Sequence, residues 1–381
     1  MSAPRPERSR RSRGATPHGV AATAPGAGAA PAGVGAGAGA ARRWWDALSP
    51  AAGGAVMAAG ILSVGLALIG RTALSLAALA VTGALWLLLA ADFALRLLGD
   101  RGRFRAEADT PAALTAVAAT TILGTRLAQL GRPAPAAALL VLAAALWPGL
   151  LWSVVRHWHR RMPGAAFLVC VATQGLAILA AVLAVAYRLD WLDRAALACF
   201  CVGTPLYLVA LSRFDLREVT GGAGDHWVAG GALSITALAG AKLTAAPLWT
   251  GATHATLRVT TLIALGLSLV WYAVLLVAEV RNPRTHYDVR RWSTVFPLGM
   301  TATACLSAAP ATGIAWLRPL GEALLWIAVA ACALTCGALA LARGHTHHPP
   351  AGPSAPPAGP PAGARPDLPA DPPPGPGTTG R

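Results

Sequence analysis

Ten long apolar runs, separated by short charged or Pro/Gly-containing breaks, restrict the possible folds of this sequence more than any other feature. A helical run of about 20 apolar residues can cross a hydrocarbon core about 30 Å thick. Of the 381 residues, 55% are hydrophobic and only 12% are charged. A transmembrane β-barrel needs alternating strands of about ten residues, which this sequence lacks. The pattern predicts an all-α polytopic membrane protein whose ten transmembrane helices lie near 51–70, 73–95, 111–130, 135–155, 164–187, 195–212, 226–244, 257–280, 292–308 and 319–342.

The two ends of the chain have the composition of disordered tails. Residues 1–48 are rich in Ala, Gly and Pro, and they carry the basic stretch RPERSRRSR, which is expected to touch anionic lipid. Residues 344–381 are rich in Pro, Ala and Gly. We therefore expect a ten-helix channel or transporter domain at 49–343 between two disordered cytoplasmic tails.

The positive charges of the chain indicate its orientation in the membrane rather than a nucleic-acid partner. The net charge is +15, but the arginines lie in the N-terminal tail and in short loops between the apolar runs. Loops after even-numbered helices carry more arginine than loops after odd-numbered helices. Because basic loops stay on the inner side of a membrane, both termini are predicted to be cytoplasmic in a multi-pass protein of the cell (inner or plasma) membrane.

Odd-numbered and even-numbered helices differ in composition, and the difference recurs along the chain. The odd helices contain VMAAGILSVGLAL, VAATTILGTRLAQL, VATQGLAILAAVL, GALSITALAGAKLT and PLGMTATACLSAA, all rich in Ala, Gly, Ser and Thr. The even helices carry bulkier side chains, as in ALWLLLAADFALRLL. One helical hairpin repeated five times accounts for this pattern, with the odd helices inside and the even ones facing lipid. Small residues permit close packing of helices, and they also leave room if the helices surround a pore. Composition therefore leaves open whether the odd helices pack tightly or line a pore.

Five fragments, one from each odd helix and in the order found in the family, carry a family resemblance: VMAAGILSVG, TTILGTRLA, VATQGLAIL, GDHWVAGGALSITALAGAKL and RRWSTVFPLGM. Together they resemble the tellurite-resistance/dicarboxylate transporter family, also called TehA-like or slow-anion-channel, over residues 50–342. The resemblance implies five hairpins in a quasi-five-fold arrangement around a central pore, in a homotrimer with one pore per subunit. Relatives include anion channels, malate permeases (C4-dicarboxylate transporters), sulfite exporters and proteins linked to tellurite resistance, so small inorganic or organic anions are the expected partners.

The resemblance also implies a gate on the ninth helix. In the family a phenylalanine followed by proline plugs the pore, and the matching residue here is Phe296. Pro297 lacks an N–H and should kink the helix, which changes the local pore width. Gly299 is expected to leave space one turn further on, into which the ring can swing. An apolar ring at the narrowest point blocks ions by excluding water.

Uncharged donors and two cations complete the predicted pore. Arg126 and Lys242 occupy matching places near the ends of the third and seventh helices, where they are expected to attract anions into an outer vestibule or else to reach the lipid headgroups. The remaining predicted lining positions are Gly60, Ser63, Thr120, Thr121, Thr173, Gln174, Ser234, Thr236 and Thr301. Their dipoles should bind a passing anion weakly enough to release it, unless the hydroxyls bond to their own helices instead.

The sequence contains no pattern that indicates an enzyme, a metal site or a cofactor. It has no Walker-type loop, no Ser-His-Asp set and no zinc-spaced cluster. Malate, sulfite, nitrate, chloride and tellurite-linked substrates remain open, and so does a proton-coupled dicarboxylate carrier, although no titratable group is evident in mid-membrane. A non-conducting membrane sensor or scaffold is the alternative from another functional class.

Overall fold

A computed structural model describes residues 52–99, 101–283 and 288–346. Within these residues the chain forms helices and no β-strands. Both predicted tails lie outside them, apart from 344–346, which continue the last helix. Short helices at Arg101–Ala108 and Glu218–Gly221 lie in connections. The ten long helices are α1 (Gly53–Leu68), α2 (Thr72–Gly99), α3 (Thr115–Gln129), α4 (Pro133–Arg156), α5 (Leu168–Tyr187), α6 (Asp190–Arg213), α7 (Val228–Thr244), α8 (Gly251–Arg281), α9 (Trp292–Thr312) and α10 (Leu317–Thr346).

Each predicted segment corresponds to one of these helices, and the ends differ by no more than six residues. The largest difference is at α8, which begins at Gly251, whereas the apolar run begins near 257. The extra turn contains His254 and Thr256, which interrupt the apolar pattern without breaking the helix. A helix satisfies its backbone hydrogen bonds internally, so it can continue beyond the apolar run that marks it in the sequence.

Two of the odd helices end in the same kind of glycine turn. After α1, Gly70 has a φ of 75°, and the N–H of Arg71 bonds to Leu66 O at 2.9 Å. After α3, Gly131 has a φ of 71°, and the N–H of Arg132 bonds to Leu127 O at 3.0 Å. A residue in this left-handed conformation is cheapest as glycine. These turns let α2 and α4 fold back directly against the helices that precede them.

Contacts among the helices follow one rule around the whole chain. Each odd helix packs against the even helix that follows it. The odd helices also pack against one another, α1 with α3, α3 with α5, α5 with α7, α7 with α9, and α9 with α1. Each even helix also touches the next odd helix, α10 touching α1. The contacts among the odd helices therefore close into a ring.

Burial separates the two sets of helices as the alternating composition predicted. In the most apolar stretch of Gly164–Tyr187, which includes α5, 89% of the residues are buried, whereas the value for α2 is 11%. Seven of the helices within the described residues are long and apolar enough to cross a membrane by length and composition: α2 to α6, α8 and α10. The other three long helices, α1, α7 and α9, are all in the ring, where protein rather than lipid surrounds them.

Glycines of the ring are placed where neighbouring helices approach most closely. A Cβ on Gly231 of α7 would lie 2.9 Å from Cγ of Pro297 on α9, whereas nothing lies within 4 Å of that position on Gly266 of α8. Gly231→Ala should lower the stability by about 1–3 kcal/mol, because the rigid proline ring forces α7 and α9 apart. Gly266→Ala, the matched control, should raise it by up to about 1 kcal/mol through helix propensity. Thermal unfolding of both variants in detergent measures the difference, and equal shifts would contradict the close packing.

Candidate functional site

A small cavity lies at the centre of the helix ring. Its volume is about 20 Å³, which is room for about one water molecule. All five odd helices contribute to its wall, and no even helix does among the residues that the structure describes. The lining residues are Ile61, Val64, Thr121, Ile122, Thr125, Gly175, Ile178, Ile235, Leu238 and Met300.

The wall of this central cavity is almost entirely apolar. Its two hydroxyls are already used within α3, because Thr121 Oγ1 donates to Ala118 O at 2.9 Å and Thr125 Oγ1 donates to Thr121 O at 2.8 Å. An ion in this cavity would lose its hydration without gaining comparable partners, which is costly. In this conformation the centre of the ring therefore excludes ions.

Phe296 lies on the same face of α9 as the cavity-lining residue Met300. It is buried, with 1% of its surface exposed, and it precedes the lining residue Met300 by four residues. Residues four apart on a helix occupy the same face. The phenyl ring of Phe296 is therefore one helical turn from the cavity, toward the N-terminal ends of the odd helices. Its role as a gate remains a prediction.

The two residues predicted to assist Phe296 both contact other ring helices. Pro297 lies inside α9, which continues unbroken from Trp292 to Thr312, and its ring packs against Gly231 of α7. On Gly299 a Cβ would lie 2.9 Å from Cγ2 of Ile61 on α1. The Ile61 side chain thus occupies the space that we expected Gly299 to leave for the Phe296 ring, so a swing of the phenyl ring toward Gly299 requires that side chain to move.

Two of the predicted lining threonines bond to tryptophans of even helices. The indole N–H of Trp86 on α2 donates to Thr120 Oγ1 on α3 at 2.9 Å, and that of Trp147 on α4 donates to Thr173 Oγ1 on α5 at 2.9 Å. Each pair joins an even helix to the next odd helix of the ring. Among the predicted lining residues only Thr121 lies in the wall of the central cavity.

Other predicted lining residues also face neighbouring helices. Gly60 has the side chains of Ile122 on α3 and Thr82 on α2 beside it. The side-chain amide of Gln174 donates to Phe200 O on α6 at 3.3 Å. Contact of Gly60 and Gln174 with a permeant anion remains a prediction.

The remaining hydroxyls make bonds within α7 and between helices. Ser234 of α7 is 2.5 Å from Ser268 of α8 and 2.8 Å from Thr301 of α9, measured between hydroxyl oxygens. Thr236 Oγ1 donates to Ala232 O at 2.7 Å. Ser234, Thr236 and Thr301 each donate to a carbonyl of their own helix, which is the alternative given above, and any contact of these residues with an anion remains a prediction.

The two predicted cations differ in their surroundings. Arg126 is buried, with 4% of its surface exposed. Its guanidinium donates to Ser75 Oγ on α2 at 2.8 and 3.1 Å and to Ser63 Oγ on α1 at 3.2 Å. Lys242 is partly exposed, two residues before the end of α7. Neither takes part in an ion pair within the described part of the chain, so both charges lack a carboxylate partner there.

Charged residues hold the start of α9 in place. Asp288 accepts hydrogen bonds from the backbone N–H of Arg290 at 2.8 Å and from its guanidinium at 3.0 and 3.2 Å. The side-chain hydrogen bond to Arg290 lowers the pKa of Asp288. Burial is the main cause that raises the pKa of Glu218, and nearby carboxylates including Asp225 raise it further. The hydroxyl of Thr294 donates to the turn before α7 at 3.4 Å. The helix that carries Phe296 is thereby tied to its neighbour in the ring.

Sequence reasoning selected polar residues for the wall and missed most of the apolar residues that form it. The available signal was positional, since the lining residues Ile61, Ile122, Ile235 and Met300 follow Gly60, Thr121, Ser234 and Gly299 directly in the aligned repeats. On α1, α5 and α7, pairs three residues apart line the cavity. Apolar positions shared by four of the five odd repeats were therefore the better guide.

Comparison with known proteins identifies the family of the chain. A family model described as voltage-dependent anion channel, SLAC1, matches residues 47–340, which include all ten long helices except the end of α10. No curated protein matches the chain. The match confirms the slow-anion-channel family that the odd-helix fragments indicated. The chain belongs to the SLAC1 family of voltage-dependent anion channels.

Proposed function

We propose that this protein passes small anions through the centre of the ring formed by α1, α3, α5, α7 and α9. The single observation that carries the proposal is the central cavity, to which all five odd helices contribute. In this proposal all ten long helices cross the membrane as five hairpins in a quasi-five-fold arrangement. The ring helices α1, α7 and α9 can be shorter or less apolar than ordinary spans because the even helices separate them from lipid.

In this proposal the structure represents the closed conformation of the anion pathway. The cavity has room for about one water molecule and has an apolar wall, and the Phe296 ring lies one helical turn away from it. A narrow apolar segment stops ions by excluding water, without needing a charged barrier. Opening then requires the Phe296 ring and the neighbouring α1 side chain of Ile61 to move together.

Family resemblance and charge complete the proposal. We propose a homotrimer with one pore in each subunit and with both termini in the cytoplasm. The size of the purified oligomer, measured by light scattering, tests the first point. Reporter fusions at each terminus test the second, and a C-terminus outside the cytoplasm would mean that the number of spans is not ten.

Flux measurements on purified protein in liposomes test the function itself. A panel of chloride, nitrate, sulfite and malate should show uptake above that of empty liposomes for at least one anion, with cations excluded. Repeating the panel with a pH gradient distinguishes a passive pathway, which we expect, from proton-coupled transport, in which the gradient drives accumulation. Absence of flux for every anion in both wild type and Phe296→Ala would instead indicate a non-conducting sensor or scaffold.

Arg126 and Lys242 provide the proposed preference for anions, since neither is neutralised by a carboxylate in the described part of the chain. Replacing both with glutamine should reduce anion flux most at low ionic strength. The reduction should shrink as salt shortens the Debye length from about 30 Å at 0.01 M to about 8 Å at 0.15 M. Flux measured across this range of salt checks the prediction, and a loss that does not change with salt would assign the two residues a structural role.

A further inference from the structure

A second and larger cavity lies outside the ring, between α2, α3 and α4. Its volume is about 380 Å³, within the range of small-molecule sites in proteins. Its wall is mostly apolar and includes Trp86, Leu89 and Phe93 of α2, Ala119 of α3 and Leu146 of α4. Gly53 and Val56 of α1 also line it. The cavity therefore extends from the outer helices inward to two helices of the ring.

An ion cluster forms one end of this outer cavity. Arg96 on α2 donates to Asp92 Oδ1 at 2.9 Å and to both carboxylate oxygens of Glu107, which lies in the short helix Arg101–Ala108. All three residues line the cavity. The cluster holds the short helix against the end of α2, so one end of the cavity is closed by paired charges and the rest of the wall is apolar.

The outer cavity opens on the side that even helices present to lipid. Ala94 and Leu97 of α2 and Leu142 of α4 line it and are exposed. Further exposed apolar residues, among them Leu98 and Val141, continue the same outward faces. In a membrane protein such faces meet hydrocarbon, so the molecules at the mouth of the cavity are lipid chains.

Basic and aromatic residues at the same end of α4 place this region at the headgroup level. Trp152 is exposed, and the guanidinium carbon of Arg156 lies 5.7 Å from the centre of its ring. The Ser153 hydroxyl donates to Asp109, which directly follows the short helix. Arg105 of that helix is exposed as well. Exposed tryptophan beside arginine is typical of the membrane interface, and neither Arg105 nor Arg156 forms an ion pair within the described part of the chain.

From these observations we propose that the outer cavity binds one acyl chain of an anionic phospholipid, whose phosphate is held by Arg105 and Arg156. The chain fills the apolar space between α2, α3 and α4. The headgroup stays at the interface, where basic residues attract anionic lipid. The site does not depend on the proposed anion pathway, and a failure of either proposal leaves the other intact.

The test compares two alanines that are adjacent in α2. Ala90 lines the outer cavity, whereas Ala91 is exposed and does not line it. Ala90→Phe should fill the cavity, and Ala91→Phe adds the same bulk to the lipid-facing side. Native mass spectrometry of detergent-purified protein, titrated with phosphatidylglycerol, measures the bound lipid. Because the added ring occupies the space of the acyl chain, Ala90→Phe should lose affinity for phosphatidylglycerol while Ala91→Phe keeps the wild-type value.

A second pair of measurements tests the headgroup. Replacing Arg105 and Arg156 together with glutamine should reduce the preference for phosphatidylglycerol over phosphatidylcholine and leave binding of the neutral lipid unchanged. Equal phosphatidylglycerol binding by the two phenylalanine variants would overturn the proposal, and so would a wild-type protein that binds none. A change in oligomer size in Ala90→Phe without loss of lipid would also overturn it, because a second copy of the chain would then occupy the cavity.

Discussion

Phe296→Ala should increase anion flux through the purified protein in liposomes by about tenfold or more. The substitution removes the ring next to the central cavity and leaves Pro297 and its contact with Gly231 in place. A tenfold increase corresponds to a barrier lower by about 1.4 kcal/mol. Phe296→Leu should give an intermediate flux, because its side chain is smaller but still excludes water. Expression and oligomer size should remain those of the wild type.

Phe167→Ala is the matched control for this prediction. Phe167 is also fully buried, but it packs outside the central cavity, with ring centroids 5.2 Å from Tyr207 and 5.3 Å from Phe214. Truncating a buried phenylalanine costs about 3–5 kcal/mol, so this variant should unfold at a lower temperature without any gain in flux. If Phe296 serves only for packing, the two alanine variants will behave alike, and a reduced flux in well-folded Phe296→Ala would refute the gate.

Replacing Ile178 and Ile235 with threonine should increase flux strongly only after Phe296 has been removed. The two isoleucines lie in the wall of the central cavity on α5 and α7. With Phe296 present, the ring still closes the path, and the threonine pair should change flux less than about twofold. In the Phe296→Ala background the apolar cavity becomes the main barrier. Added hydroxyls then let water enter it, and flux should rise about tenfold further, equivalent to about 1.4 kcal/mol.

Valine at the same two positions is the control for this second prediction. Valine and threonine have similar shapes, so the valine pair enlarges the cavity without adding a hydroxyl. In the Phe296→Ala background the valine pair should leave flux within about twofold of the single variant. Equal gains with valine and threonine would show that width, rather than wetting, limits conduction. A strong gain from the threonine pair with Phe296 present would show that the ring does not close the path.

The helical segments and their alternation could be read from the sequence because membrane burial imposes a local rule. Apolar length predicts a span, and the odd and even runs differ in composition over their full length. Small residues such as Gly60 and Gly231 marked helices that approach other helices, while bulky runs such as that of α2 marked the outer set. The burial of α5 and the exposure of α2 confirm this division.

The wall of the candidate site was much harder to predict from the sequence. Polar residues were chosen because an anion needs donors, yet Thr120 and Thr173 accept bonds from tryptophans of outer helices, and Thr236 bonds within α7. A buried hydroxyl that lacks a partner is costly, so such residues turn toward the nearest acceptor or donor. The direction in which each hydroxyl points depends on the rotation of its helix about the helix axis. In helices that are buried on all sides, the hydropathy pattern does not indicate that rotation.

Taken by itself, the sequence determined the number and approximate limits of the long helices, the inner and outer sets, and the family, because each follows from composition along the chain or from short motifs. Only the tertiary structure decided that Ile61 fills the space beside Gly299 and that Arg126 donates hydrogen bonds to Ser63 and Ser75. These depend on contacts between residues far apart in the chain. The physical reason is that burial can be satisfied by many helix rotations, whereas side-chain packing and hydrogen bonding select one of them.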